Sequence, residues 1–297
     1  MAVVLAHLGP EGTYAEMAAL CFAHFLRQQE ESKIEYLPCA TIAKTLHCVA
    51  EAKADWAIVP VENSIGGSVP MTLDTLWPLE NLTIHQALVL PIAHGLLSHS
   101  DDLDHIRSVA SHPQALAQCR IWLDTYLPQA ERISMNSTTE VLAQLGNDRS
   151  LAAIASPRAA ALHHIPIQAH PINDNLENCT RFWVLNRQPL SSGSQTSLGF
   201  SLYANVPGAL VKALQAFGDR RINMSRIESR PTQRSLGDYL FFIDLEDNAQ
   251  SPSVQAALNS LTDVTENLRV LGSYDIWNLK PDQLTQILSQ MVDPSAS

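Results

Sequence analysis

Short apolar runs alternate with amphipathic stretches over the first two thirds of this 297-residue chain. VVLAHL, ADWAIVPV, SVAS and LAAIAS are each followed by turn chemistry and a segment of helical periodicity, which predicts α/β units with mixed or parallel sheets. Around residues 187–197 the pattern stops: RQPLSSGSQTS has little to bury and reads as a linker. Beyond it Leu198, Phe200, Leu202 and Ala204 alternate as in a strand, and Leu210, Leu214 and Phe217 share one helical face. The strand-like runs NMSRIESR and DYLFFIDLE come next, then a helix with Val254, Ala257, Leu258 and Leu261 on one side, then NLRVLGSYDIW. The order is βαββαβ over about 80 residues, one small domain. From Lys280 the tail offers one more helix before a Pro, Ser and Ala ending.

With 46% hydrophobic residues the chain buries substantial cores, and its length favours two domains and up to three lobes. A formal net charge of −11 excludes a broad electrostatic footprint for nucleic acid or an anionic membrane. Any anion must be met by particular donors. The five cysteines are odd in number and scattered, which predicts reduced thiols in a cytoplasmic protein. No targeting segment or run of transmembrane length is expected. The adjacent His163 and His164 diverge, no HExxH, GxGxxG or Walker loop occurs, and neither a metal nor a cofactor is expected.

Candidate chemistry gathers at element ends. Thr13 with Glu16, Ser111 with Gln114, and Ser137 with Glu140 fit the capping box, and Ser156-Pro157 is a cap followed by proline. Such helix starts present unpaired N–H groups, and two or three converging on one cleft would hold carboxylates without net positive charge. A cap that only stops its helix needs the same residues. In VPVENSIGGSV an apolar run ends in Glu62, Asn63 and Ser64 before Gly66 and Gly67, and ligands of α/β sheets gather at such strand ends. Thr180 and Arg181 stand at the head of another apolar run, in NLENCTRFWVL, with asparagine on the approach. They are either a polar cap or ligand-meeting groups. His112 reads as a local polar contact in the first turn of a helix.

Taken together, GPEGTYAEMA, VPVENSIGGSV, SHPQALAQC and NCTRFWVL resemble, in order, the motifs of the prephenate dehydratase family. GALVKAL and IESRP resemble the two signature segments of its ACT regulatory domain. The resemblance runs from residue 1 to about 277, with Ala15 where the family usually has Ser and Val141 where Ala is common. It implies an α/β two-lobed catalytic domain resembling type II periplasmic binding proteins, followed by an α+β βαββαβ ACT domain. The expected limits are a catalytic part at 1–186, with lobes at about 1–77 plus 166–186 and at 78–165. A linker at 187–196, the ACT domain at 197–277 and a tail at 278–297 complete the expected chain, and the fused chorismate mutase domain of some relatives is expected to be absent.

The implied reaction turns prephenate into phenylpyruvate, water and carbon dioxide without a cofactor. On that resemblance Thr180 meets the departing hydroxyl, Arg181 and Phe182 set its position, and Glu62 is the competing general acid. Asn63, Ser64, Ser111 and Gln118 contact or position the substrate, with Thr13 and Ser137 at helix ends. The implied effector is phenylalanine, walled by Asn205, Gly208, Ala209 and Leu210 and faced by Glu228, Ser229 and Arg230, in a homodimer or homotetramer. Arogenate dehydratase, the same chemistry on the amino analogue, and a non-catalytic amino-acid sensor are the alternatives.

Overall fold

The apolar runs of the first third become strands and the amphipathic stretches helices: β1 (Val3–Leu8), α1 (Tyr14–Gln29), β2 (Ile34–Cys39), α2 (Ile42–Ala50), β3 (Trp56–Asn63), β4 (Gly67–Ser68), α3 (Pro70–Leu76) and β5 (Thr83–Pro91). The computed structural model describes residues 2–29, 33–135, 141–146, 148–189, 192–232 and 234–292. After β5 the chain crosses to a second lobe made of β6 (Gly95–Leu97), β7 (Ser108–Ser111), α4 (Pro113–Gln118), α5 (Arg120–Tyr126), β8 (Glu131–Ser134), α6 (Leu142–Leu145), β9 (Leu151–Ala155), α7 (Pro157–His163) and β10 (Ile167–Ala169). It then returns as β11 (Cys179–Asn186), antiparallel between β3 and β5.

This is the two-lobed arrangement that the resemblance implied, with shifted boundaries. β5 belongs to the first lobe's sheet and β10 to the second's, so the crossings lie at 92–94 and 170–178 rather than at 77 and 166. A strand with apolar residues on both faces fits either lobe until its partners are known.

β11 reads Phe-Trp-Val-Leu without alternation because both of its faces are covered. Phe182 and Val184 join Leu88, Leu90 and α1 residues on one side, while Trp183 and Leu185 join Val59, Val61 and Leu73 on the other. Burying a side chain of this size contributes roughly 1.5–3 kcal/mol.

The last third has the predicted βαββαβ order: β12 (Gln195–Leu202), α8 (Ala209–Gly218), β13 (Met224–Pro231), β14 (Tyr239–Leu245), α9 (Pro252–Thr262) and β15 (Thr265–Asn278). It is not hung on a loose linker. β15 pairs antiparallel with β12 along its first part, then parallel with β5 between Gly272 and Asn278, so both units share one ten-stranded sheet. Arg269 donates to the carbonyls of Leu76, Trp77, Leu79 and Leu82, tying down the end of α3 and the turns that follow it. Arg230 makes a bidentate pair with Asp74 on α3, and Ser68 donates to Glu228 at 2.7 Å. The tail forms α10 (Pro281–Val292), whose Leu284 and Ile287 complete the core over α1. Among the described residues no helix is long and apolar enough to cross a membrane.

Candidate active site

β3 and β11 end side by side, with Thr180 opposite Asn63 and Arg181 opposite Glu62. Successive residues of a strand face opposite ways. Thr180 therefore shares a face with Phe182 and Val184, whereas Arg181 shares one with Trp183. On β3 a bulge intervenes: Phe182 pairs with Pro60 and Arg181 with Glu62, leaving Val61 as the extra residue. It brings Asn63 to Thr180 and sends Glu62 to Arg181.

The Asn63 amide is fixed by its surroundings. Its Oδ1 accepts from the backbone N–H groups of Ile65 (3.1 Å) and Gly66 (2.7 Å), which leaves Nδ2 aimed at Asn178 Oδ1 (2.8 Å), Cys179 O (3.0 Å) and Thr180 Oγ1 (3.0 Å). Asn178 Nδ2 in turn donates to Gln118 Oε1 at 3.1 Å, and Gln118 Nε2 reaches Asn63 Oδ1 at 3.4 Å. The three buried amides form a ring, each donating to the next, with Gln118 coming from the second lobe. His94 in the first crossing closes the arrangement: its Nε2 lies 3.0 Å from Gln118 Oε1, an acceptor, and so carries the proton. Burial holds the pKa of His94 below the usual histidine value against the opposing Gln118 hydrogen bond, which favours the neutral imidazole.

The lobes also meet elsewhere. Ser156, the cap of α7, accepts from Ala159 N and donates to Gly12 O at 2.7 Å. Glu16 and Arg158 pair across the lobes at 3.1 Å, both largely buried, and Glu16 also accepts from Gly12 N. Gly66 lies under Gln114 of α4: a Cβ there would stand 2.5 Å from Gln114 Nε2.

Of the residues singled out in the sequence, Thr180, Asn63 and Gln118 come together. Glu62 and Arg181 do not join them. They lie on the opposite face, 3.7 Å apart, with Arg181 also 3.2 Å from Asp244 of the C-terminal unit. Phe182 is core, 2% exposed. Ser64 is a ladder cap, its Oγ accepting from Cys179 N. Ser111 donates to Ile154 O inside the second lobe, and no Ser111–Gln114 box forms, since His112 is the cap and its Nδ1 accepts from Gln114 N. Thr13 caps α1 and donates to Pro10 O. Ser137 and Glu140 lie outside the described residues. Asn178 and His94 were missed, and Gln114 was expected only as a capping partner. Asn178 had a signal, two positions before Thr180 and so on the same face; His94 had none.

In the C-terminal unit Asn205, Gly208, Ala209 and Leu210 line a cavity of about 290 Å³ with Tyr203, Thr232, Tyr239 and Glu266. Gly208 precedes α8 at φ +84°, where no side chain crowds it, so the conformation rather than the space calls for glycine. Glu228 and Arg230 are not in that wall; they turn inward to Ser68 and Asp74. Ser229, between them, is exposed.

The prephenate dehydratase family model matches residues 5–190. The chain belongs to the prephenate dehydratase family. An ACT domain model matches residues 196–263, β12 through α9 of the βαββαβ unit. A bifunctional chorismate mutase/prephenate dehydratase of Aquifex aeolicus is 39% identical over 92% of this chain and 73% of its own. The prephenate dehydratase of Lactococcus lactis subsp. cremoris is 36% identical over 93% of this chain and 98% of its own. The crystal structure of prephenate dehydratase from Arthrobacter aurescens, in complex with L-Phe, superposes with a TM-score of 0.81 at 34% identity, covering 95% of this chain and 91% of that one. In this member of the family the amide ring and Thr180 sit where the two lobes of the dehydratase domain meet, and the ACT domain backs onto the other face of the same strands.

Proposed function

We propose that the chain is a prephenate dehydratase acting at Thr180, and that phenylalanine inhibits it by binding the cavity in the ACT domain. Losing the ring carboxylate as carbon dioxide sends an electron pair through the ring to expel hydroxide, and aromatisation drives the step. The site has only to bind the dianion, align the breaking bonds and meet the leaving oxygen. The Asn63 Nδ2–Thr180 Oγ1 hydrogen bond carries this reading. Because Thr180 accepts from Asn63, its own O–H is left to donate to the departing oxygen, and the amide stabilises charge that builds on Oγ1 as it does so. Full proton transfer from so weak an acid is not required. Glu62, on the far face, supports this role less well than Thr180 does.

The Arthrobacter aurescens relative binds L-Phe, which supports phenylalanine as the effector here. The cavity's mixed lining, with the Tyr203 and Tyr239 rings beside Asn205 and Glu266, suits an aromatic amino acid. The effector inhibits only if it binds one global state better than another. Tyr203, Val206, Val211 and Ile227 are exposed on the ACT domain, and β13 is an edge strand. This surface suits pairing with a second copy, a homodimer or a dimer of dimers. The five free thiols fit a cytoplasmic setting.

Purified protein given prephenate should form phenylpyruvate, and added phenylalanine should suppress it. Phenylalanine formed only from arogenate would change the substrate and keep the mechanism; no product from either would favour the sensor.

A further inference from the structure

The face of β3 and β11 turned away from the site carries a buried chain of charges. Arg226 of β13 donates from Nε to Asp244 Oδ2 at 2.8 Å, Asp244 lies 3.2 Å from Arg181 Nη1, and Arg181 Nη1 lies 3.7 Å from Glu62 Oε2. Ser197 donates to the other Asp244 oxygen at 2.6 Å, and the Arg226 guanidinium stands 5.5 Å from the centre of the Trp183 ring. Asp244 and Arg226 are almost wholly buried. Packing alone does not call for this. Arg181 Nε and Arg226 Nη1 and Nη2 are buried without a hydrogen-bond partner among the described residues, and apolar side chains of similar volume often serve a core as well or better.

The register gives the chain its use. Arg181 adjoins Thr180, Glu62 adjoins Asn63, and the two pairs face each other across the strands. Whatever fixes Arg181 and Glu62 on one face fixes Thr180 and Asn63 on the other. We propose that Asp244 and Arg226 are positioning residues for the dehydration, holding the Thr180–Asn63 pair in register through Arg181 and Glu62. The inference rests on the dehydratase reading given above. It also joins two sites, since Tyr239 and Phe241 of β14 line the effector cavity while Asp244, farther along that strand, faces Arg181.

The test compares Arg226→Leu, Arg226→Lys and Glu62→Gln with the parent enzyme on prephenate, alongside melting curves. Arg226→Leu should lower kcat about tenfold with KM within about twofold, as expected when aligned groups are loosened rather than removed. Arg226→Lys, which keeps a cation for Asp244, should regain most of the loss. Glu62→Gln should lower kcat severalfold and leave the shape of the pH profile unchanged. Should Arg226→Leu fail to fold, Glu62→Gln decides alone, because Glu62 is one-third exposed and unburdened by the core. Unchanged kcat in the folded variants, with only lower melting temperatures, would overturn the proposal. So would loss of one limb of the pH profile in Glu62→Gln, which would make Glu62 an acid in the reaction itself. A parent enzyme silent on prephenate overturns the functional reading as well, whereas an active parent with equally active variants overturns the positioning alone.

Discussion

Asn63 Nδ2 stands 3.0 Å from Thr180 Oγ1 and donates to it, which leaves the threonine O–H to donate elsewhere. Thr180→Ala should lower kcat by roughly 10²–10³-fold, the usual loss when one transition-state donor is removed. Thr180→Ser should keep a substantial share, and phenylalanine binding, measured by calorimetry, should be unchanged in both. Near-normal turnover in Thr180→Ala would remove it from the mechanism.

The amide ring makes Asn178 a support of the site, although its side chain is only 1% exposed. Asn178→Ala removes one of three acceptors of Asn63 Nδ2 and one of two donors to Gln118 Oε1, so two hydrogen bonds are lost without orphaning either group, at about 0.5–1.5 kcal/mol each. Turnover should fall together with the denaturation midpoint. A loss of stability with full turnover per folded molecule would mean that the ring is structural only.

Gly66 has no unusual backbone conformation, and a Cβ there meets side-chain atoms rather than backbone. Gly66→Ala puts a Cβ 2.5 Å from Gln114 Nε2, the tip of a flexible exposed side chain that swings aside, and 3.2 Å from Asn63 Oδ1, so it should raise KM for prephenate only modestly. Adding Gln114→Ala removes the colliding amide, so the double variant should bind substrate better than Gly66→Ala alone. Steady-state kinetics of the three variants check this.

Glu16 and Arg158 bridge the lobes at 3.1 Å with little exposure. Removing one partner of such a pair strands a buried charge, at about 3–5 kcal/mol. Arg158→Met should therefore destabilise the protein strongly in urea, while Glu16→Gln combined with Arg158→Met should recover much of the loss.

His94 and His7 are both held below the usual histidine pKa, first by burial. Between the lowered folded values and the unfolded value of about 6.5, the unfolded chain binds more protons, so stability rises with pH across that window. It should be complete above the window and lost progressively as pH falls through it. Urea midpoints on either side check the sign, and His94→Gln should flatten part of the slope.

Most of the local structure was legible in the order of residues along the chain. Short apolar runs placed β1, β3, β7 and β9, and period-3.6 apolar patterns placed α8 and α9, because each records what an element buries. The order of the motifs also carried the family. Local pattern could not say which elements share a sheet, so the crossing points came out too early, and β15 joining the two units was invisible. Nor could it say which way Glu62 faces. Straight alternation from Ile58 puts Glu62 on the side of Thr180, and only the bulge at Val61, set by pairing with a strand over a hundred residues away, turns it to Arg181 and Asp244. Helix caps were legible as caps, but whether they meet across a cleft depends on lobe packing, which brought Ser156 to Gly12. Residue type and spacing fix what a segment can be; partner, face and register come from contacts distant in the chain, and those decided the site.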